Sequence, residues 1–333
     1  MNQRRLPWSL LALSAICFAA LPLLAKADTE RHSHRPPWDS TVVWSQTLHI
    51  GGSTIQMDIA PGQLSVSHQQ IALWVETAAR AVSQYYGRFP VPRVRVLVVP
   101  IADSGGIGGS TWGDVDEYPA FIRMRVGARI TSRELNDDWT MTHEFVHTAL
   151  PSLSSDHHWL EEGLATYVEP IAREQIGALT PEYVWKETVE GMPQGEPRPG
   201  EQGLDNTHTW ANTYWSGALF CMMADIQIRK ATHNKEGLQD ALRGILVSGG
   251  SIAVDWPIAK VIAVGDQATG TSVLADLYEK MGKQPFPPID LEDLWKQLGI
   301  RLSGGNVEFN NQAPLAAIRE AILRPAAASG RQD

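Results

Sequence analysis

His143, Glu144 and His147 stand in the order H-E-F-V-H within a stretch of helical texture. On an α-helix, residues four apart lie one above the other on the same face, so both imidazoles can reach one ion at about 2.0 to 2.1 Å. Glu144 is rotated off that axis by one position, near enough to touch a water on the ion without ligating it. This spacing suits zinc hydrolysis, in which the ion polarises water and the carboxylate takes its proton. Trp139, Thr142, Val146 and Ala149 form the opposite stripe, expected to face the core and to leave His143 and His147 on another side.

Catalytic zinc takes three protein ligands and keeps a position for water, so one more ligand must come from another element. A His six residues beyond His147 is one known solution, but Leu153 stands there and Leu150 occupies the place of the expected Gly. After a loop containing Pro151, the run Trp159-Leu160-Glu161-Glu162-Gly163-Leu164-Ala165-Thr166-Tyr167 offers Glu161 and Glu162 on a second helix. His157 and His158, in the connecting loop, are competing donors.

With these residues the sequence resembles the gluzincin metallopeptidases of the peptidase MA superfamily, particularly the catalytic domains of aminopeptidase N and glycyl aminopeptidase relatives. Their second helix reads W-L-x-E-G-x-A-x-Y, and the Glu before the Gly binds zinc; the resemblance assigns that role to Glu162 rather than Glu161. The interval from His147 to Glu162 is shorter than is usual in the aminopeptidase N group. Tyr214-Trp215-Ser216-Gly217-Ala218 is similar to the Y-x-x-G-[AS] run that opens a later helix in those enzymes. There the Tyr hydroxyl stabilises the developing oxyanion, which implies Tyr214 here, with His208 as the other candidate and packing among Trp210 and Trp215 as the structural reading. The resemblance extends from Val94 to Arg229 and implies an α+β, thermolysin-like zincin domain with its zinc site in a cleft between two lobes. One departure concerns the substrate. Aminopeptidases hold the free amino terminus with a glycine-flanked Glu upstream of the zinc helix, whereas the corresponding Gly108-Gly109-Ser110-Thr111-Trp112-Gly113 has no acid. An exopeptidase reading therefore lacks its anchor. The segment reads either as an edge strand able to pair with an extended substrate or as an ordinary loop.

The positioning elements follow from periodicity. Val42 to Ile50 and Thr54 to Ala60 alternate in the manner of strands around Gly51-Gly52-Ser53, a hairpin signal. Ile71, Val75, Ala78, Ala79 and Val82 recur at helical spacing between Val66 and Tyr86, ended by Gly87 and Pro90. Val94 to Ile101 is almost wholly apolar, as in a strand covered on both faces. In Phe121 to Val126, Ile122, Met124 and Val126 share one face and Arg123 and Arg125 the other. Beyond Thr131 the texture predicts helices over 134–150, 158–176, 181–190, 211–232, 236–247, 271–281, 288–298 and 313–323. A Pro- and Gly-rich loop from Gly191 to Gly203 interrupts them, and a short hairpin near Ile300 to Phe309 comes late. The expected organisation is a signal peptide (1–27), a linker (28–40), an N-terminal α/β lobe with a small mixed sheet (41–130), a mainly helical lobe with the zinc site (131–324) and a flexible tail (325–333).

The chain has 333 residues, 43% hydrophobic and 20% charged, with 12 Trp and two Cys, which excludes a disordered chain or a disulfide-stapled miniprotein. Acidic residues outnumber basic ones, and no Lys/Arg cluster exists beyond Arg4-Arg5, so nucleic acid is not an expected partner. Arg4-Arg5, an apolar run from Leu10 to Leu24 broken by Pro22, and Ala25-Lys26-Ala27 make a bacterial-type export signal with cleavage after Ala27, too short for a membrane anchor. The residues around the twin arginines fit the folded-export pattern poorly. Cleavage takes the net charge from −9 to −12 and removes Cys17, leaving Cys221 as a buried hydrophobe rather than a reactive thiol. The expectation is an exported, periplasmic or secreted zinc metallopeptidase acting on a peptide or protein, with no membrane span once the signal is removed. The competing readings are a non-catalytic zinc-stabilised envelope binding or assembly protein and a zinc hydrolase of esters or epoxides.

Overall fold

The protein is described here from a computed structural model, which covers residues 40–102, 105–206, 209 and 212–325. The expected signal peptide and nearly all of the linker and tail, together with His208 and Trp210, lie outside the described residues.

The N-terminal strands β1 (Trp44–Ile50) and β2 (Ser53–Ile59) form an antiparallel hairpin with Trp44 opposite Ile59. Gly51 and Gly52 both have positive φ, 57° and 80°, as the tight turn matched to strand twist requires. Helix α1 (His68–Tyr86) starts at a capping box, in which Ser67 and Gln70 satisfy each other's backbone N–H, and stops at Gly87 in the left-handed region. It packs its apolar stripe, including Ile71, Val75, Ala79 and Val82, into the same core as Ile55, Met57 and Ile59 of β2. Strand β3 (Arg93–Ile101) runs parallel to β2 and to β6 (Tyr118–Gly127). Two short strands, β4 (Ile107–Gly108) and β5 (Thr111–Val115), pair antiparallel with the outer side of β6. The Gly108–Gly113 segment therefore spans the strands at the sheet edge rather than an open loop.

Helices follow: α2 (Ser132–Asp137), α3 (Thr140–His147), α4 (His158–Gln175), α5 (Pro181–Gly191), α6 (Gly217–Ala231), α7 (Leu238–Val247), α8 (Ile258–Thr269), α9 (Val273–Leu277), α10 (Leu291–Leu298) and α11 (Ala316–Leu323). Between the last two, β7 (Ile300–Ser303) and β8 (Asn306–Phe309) make the expected hairpin. A mixed sheet followed by a helical region is an α+β architecture, as the sequence predicts. Among the described residues no helix is long and apolar enough to cross a membrane.

Three expectations need correction. The helix predicted over 134–150 is two helices, because the Asp138 carboxylate accepts the Met141 N–H at 3.1 Å and the Thr140 hydroxyl at 2.8 Å and restarts the chain there. Trp74 Nε1 fixes the same carboxylate at 3.1 Å. In consequence Trp139 lies at the start of α3, 51% exposed, and not in the core stripe; Thr142, Val146 and Ala149 are buried as expected, but so is His143. Helix α8 was not anticipated, since Pro257, Gly265 and Gly270 punctuate a run whose residues are mostly apolar. The segments predicted as 211–232 and 271–281 each contain a wider turn, Asn212–Ser216 before α6 and Tyr278–Gly282 after α9.

Candidate metal centre and active site

Helices α3 and α4 bring three donors together: the nearest ligand atoms of His143, His147 and Glu162 all lie within 4.8 Å of one another. Glu162 Oε2 is 3.1 Å from His143 Nε2 and 3.6 Å from His147 Nε2. The imidazoles lie one above the other on one face of α3, edge to face at 85°, with their centroids 4.8 Å apart, neighbours as a four-residue spacing makes them. Two imidazoles and a carboxylate converging from neighbouring helices are a donor set that can hold a divalent metal ion.

Burial would push the Glu162 carboxyl up, but His143, His147 and His158 outweigh burial and hold it far below the usual carboxylate range. Burial pushes His143 down, whereas in His147 the Glu162 carboxylate overcomes burial and raises the imidazole. The buried Nδ1 of His143 has no hydrogen-bond partner among the described residues.

Of the competing ligands, Glu161 turns its carboxylate to the Leu153 N–H at 3.0 Å and to His158 Nδ1 at 2.9 Å. His157 is 3.0 Å from Asp205, which also accepts from Trp159 Nε1 at 2.9 Å and from the Tyr278 hydroxyl at 2.6 Å. His158 borders the cluster, with Nε2 3.3 Å from Glu162 Oε1, and its two carboxylate neighbours push it up to about 10.

Glu144 projects into a cavity of about 570 Å³ that also meets His143, His147, Glu162 and Tyr214. Its position depends on the sheet edge. The Thr111 hydroxyl of β5 donates to the Glu144 carboxylate and lies 3.2 Å from the Glu144 backbone carbonyl. Gly109 passes so close that a Cβ there would fall 2.4 Å from the same carboxylate. Thr111 is a functional neighbour that the sequence did not single out. It lies 33 positions upstream of Glu144 in a glycine-rich run, and only the strand pairing reveals the contact.

Tyr214 lies in the wide turn before α6, its ring 6.1 Å from that of His143 and inclined by only 22°. Burial, followed by the nearby Glu162 carboxylate, pushes its hydroxyl up to about 12, so it carries its proton at neutral pH. The close approach of two glycines places this turn beside α4: a Cβ at Gly163 would fall 2.2 Å from the Gly217 Cα. Cys221 is buried and free. Among the Trp side chains, Trp112 borders the cavity and Trp159 is buried.

No family model matches the chain, and no curated protein matches it. Solved structures do. The aminopeptidase N family protein of Idiomarina loihiensis superimposes with a TM-score of 0.58 at 14% identity, over 77% of this chain and 49% of that one. The fold is shared with that family. The M1 zinc metallopeptidase of Deinococcus radiodurans gives a TM-score of 0.47 at 15% identity, over 73% of this chain and 52% of its own. A variant of it bound to a Tyr-Ser-Ala substrate gives 0.48 at 15% identity, over 74% and 53%. The chain thus spans about half the length of these proteins.

Proposed function

We propose that the protein is an exported zinc metallopeptidase that hydrolyses peptide bonds. The observation that carries this reading is the convergence of His143, His147 and Glu162 beside a carboxylate, Glu144, that shares their cavity without joining them. A cluster serving only to bind metal has no chemical need for Glu144. The fold common to the aminopeptidase N family protein of Idiomarina loihiensis supports the same reading. The Arg4-Arg5 and Leu10–Leu24 signal supports export.

His143, His147 and Glu162 would hold the zinc. When bound, zinc supplies Lewis-acid polarisation of a carbonyl and of a water molecule. The chain's own residues supply the rest. Thr111 and Gly109 hold Glu144 at the cavity wall, where its carboxylate takes a proton from water and returns it to the departing amine nitrogen. The protonated hydroxyl of Tyr214 donates to the oxygen on which negative charge develops. The edge strand β5 forms another wall, with Thr111, Trp112 and Gly113 beside the cavity, and offers backbone groups to an extended chain.

Every carboxylate in this cavity is already engaged: Glu144 by Thr111, Glu161 by Leu153 and His158, and Glu162 by the imidazoles. Among the described residues lining the cavity there is no carboxylate beyond these three to serve as a dedicated anchor for a substrate ammonium, and the proposed cleavage does not depend on a free amino terminus. The test is to incubate zinc-loaded wild type and Glu144→Gln with a diverse peptide mixture. Wild type should cleave, and the variant should lose about 10²- to 10⁴-fold in rate while keeping its zinc. Cleavage by both, or by neither, counts against the proposal.

A further inference from the structure

The two oxygens of Glu162 keep different company. Oε2 faces the imidazoles of His143 and His147, whereas Oε1 lies 3.3 Å from Nε2 of His158. The other nitrogen of that ring, Nδ1, is 2.9 Å from Glu161 Oε2, and Glu161 Oε1 accepts the Leu153 backbone N–H at 3.0 Å. A continuous run of polar contacts thus leads from the main chain at Leu153 through Glu161 and His158 to the outer oxygen of Glu162. The helix makes this possible. Residues three and four apart are neighbours on its surface, so one imidazole at position 158 reaches both carboxylates.

Resting on the zinc reading above, we infer that His158 is a positioning residue which, anchored by Glu161, holds Oε1 of Glu162 so that Oε2 alone meets the metal. Two further features favour this. A carboxylate beside a cation can rotate between one-oxygen and two-oxygen binding, and a contact on one oxygen removes that freedom. Orientation from the α3 side is also weak, because the buried Nδ1 of His143 has no partner among the described residues. Metal-ligating groups are ordinarily oriented by such outer contacts, whose removal costs about 10- to 100-fold in metal affinity or activity. His158 itself is not a packing residue, since 55% of its side chain is exposed.

The test measures zinc affinity by competition with a chromogenic chelator for wild type, His158→Ala, His158→Gln, Glu161→Gln and the double variant His158→Ala/Glu161→Gln. Visible spectra of the cobalt-substituted proteins report coordination number in parallel. The expected result is a loss of about 10- to 100-fold in affinity for His158→Ala with weakened cobalt bands, partial recovery in His158→Gln, and a smaller loss for Glu161→Gln that adds nothing in the double variant. Wild-type affinity and an unchanged spectrum in His158→Ala would overturn the inference. So would additive losses in the double variant, or two zinc ions per wild-type chain, which would make His158 a ligand. If His158→Ala does not fold, His158→Gln and Glu161→Gln carry the same comparison. Wild type that binds no zinc fails one step earlier and overturns the functional proposal along with this one.

Discussion

Helix α4 takes part in two polar clusters that handle charge in opposite ways. At Tyr167 its hydroxyl donates to Asp225 Oδ2 at 3.0 Å, while Asp225 Oδ1 accepts Arg229 Nε at 2.8 Å and the Leu238 N–H at 3.0 Å. The negative charge there has a permanent partner, and both carboxylate oxygens are used. At Glu162 the ion-pair partners among the described residues are the imidazoles of His143, His147 and His158 and no Lys or Arg, and the buried Nδ1 of His143 has no partner among them. One cluster is complete within the chain, and the other is arranged as a cation would require. Asp225→Ala should therefore cost about 3 to 5 kcal/mol of stability by stranding Arg229, measured by urea denaturation, while zinc affinity per folded molecule stays at the wild-type value. A variant of unchanged stability but weakened zinc binding would erase the distinction.

Tyr214 sharpens the same contrast. Both Tyr167 and Tyr214 are held protonated beside a carboxylate, but Tyr167 is buried against Asp225, whereas Tyr214, beside Glu162, borders the cavity and stacks on His143. If its hydroxyl serves the developing oxyanion, Tyr214→Phe should lower kcat by about 10²- to 10³-fold, the equivalent of roughly 2.7 to 4 kcal/mol of barrier. KM, zinc content and melting temperature should change little. A purely packing tyrosine would give the reverse, with kcat preserved and stability altered.

The reach of the sequence in this molecule follows the distance over which each contact acts. His143, Glu144 and His147 were legible because one helical turn fixes their relation, and Glu162 because its helix carries a recognisable run. The strands over 94–101 and 121–126 and the β1–β2 turn were legible from β-branched runs and from Gly51-Gly52, though the parallel pairing was not. Periodicity did not show the break at Asp138, because a side chain accepting its neighbours' N–H and hydroxyl ends a helix without disturbing the apolar spacing. The Asp138-Trp139-Thr140 order was the available sign, since Asp is a common helix-capping residue. Thr111 and Gly109 stood in a run readable as an edge strand or a loop, but nothing in it pointed to Glu144: that contact comes from β5 lying on β6 and from the sheet edge meeting α3. His158 was visible as a possible ligand, but whether it contacts the metal or the carboxylate depends on a ring orientation that spacing alone does not determine.

Glu169 offers the finest test, because it lies on α4 between these extremes. Arg173 Nη1 donates to it at 2.9 Å, and Arg173 Nη2 also donates to the Asp137 carbonyl at 3.2 Å. Burial pushes the Glu169 carboxyl up to about 7, Arg173 offsetting only part of that and Asp138 and Glu187 adding to it. Its ordinary value is 4.5, so as pH rises the unfolded chain releases this proton first and the folded chain holds it longer. Glu169 therefore withdraws stability across the window from pH 4.5 to about 7 and no further above it, a change on the order of 1 to 3 kcal/mol. Urea midpoints at pH 5, 6, 7 and 8 should show wild type losing ground to Glu169→Gln between pH 5 and 7, with the gap constant thereafter. Parallel curves for the two proteins would mean that Arg173 offsets the burial of Glu169 in full.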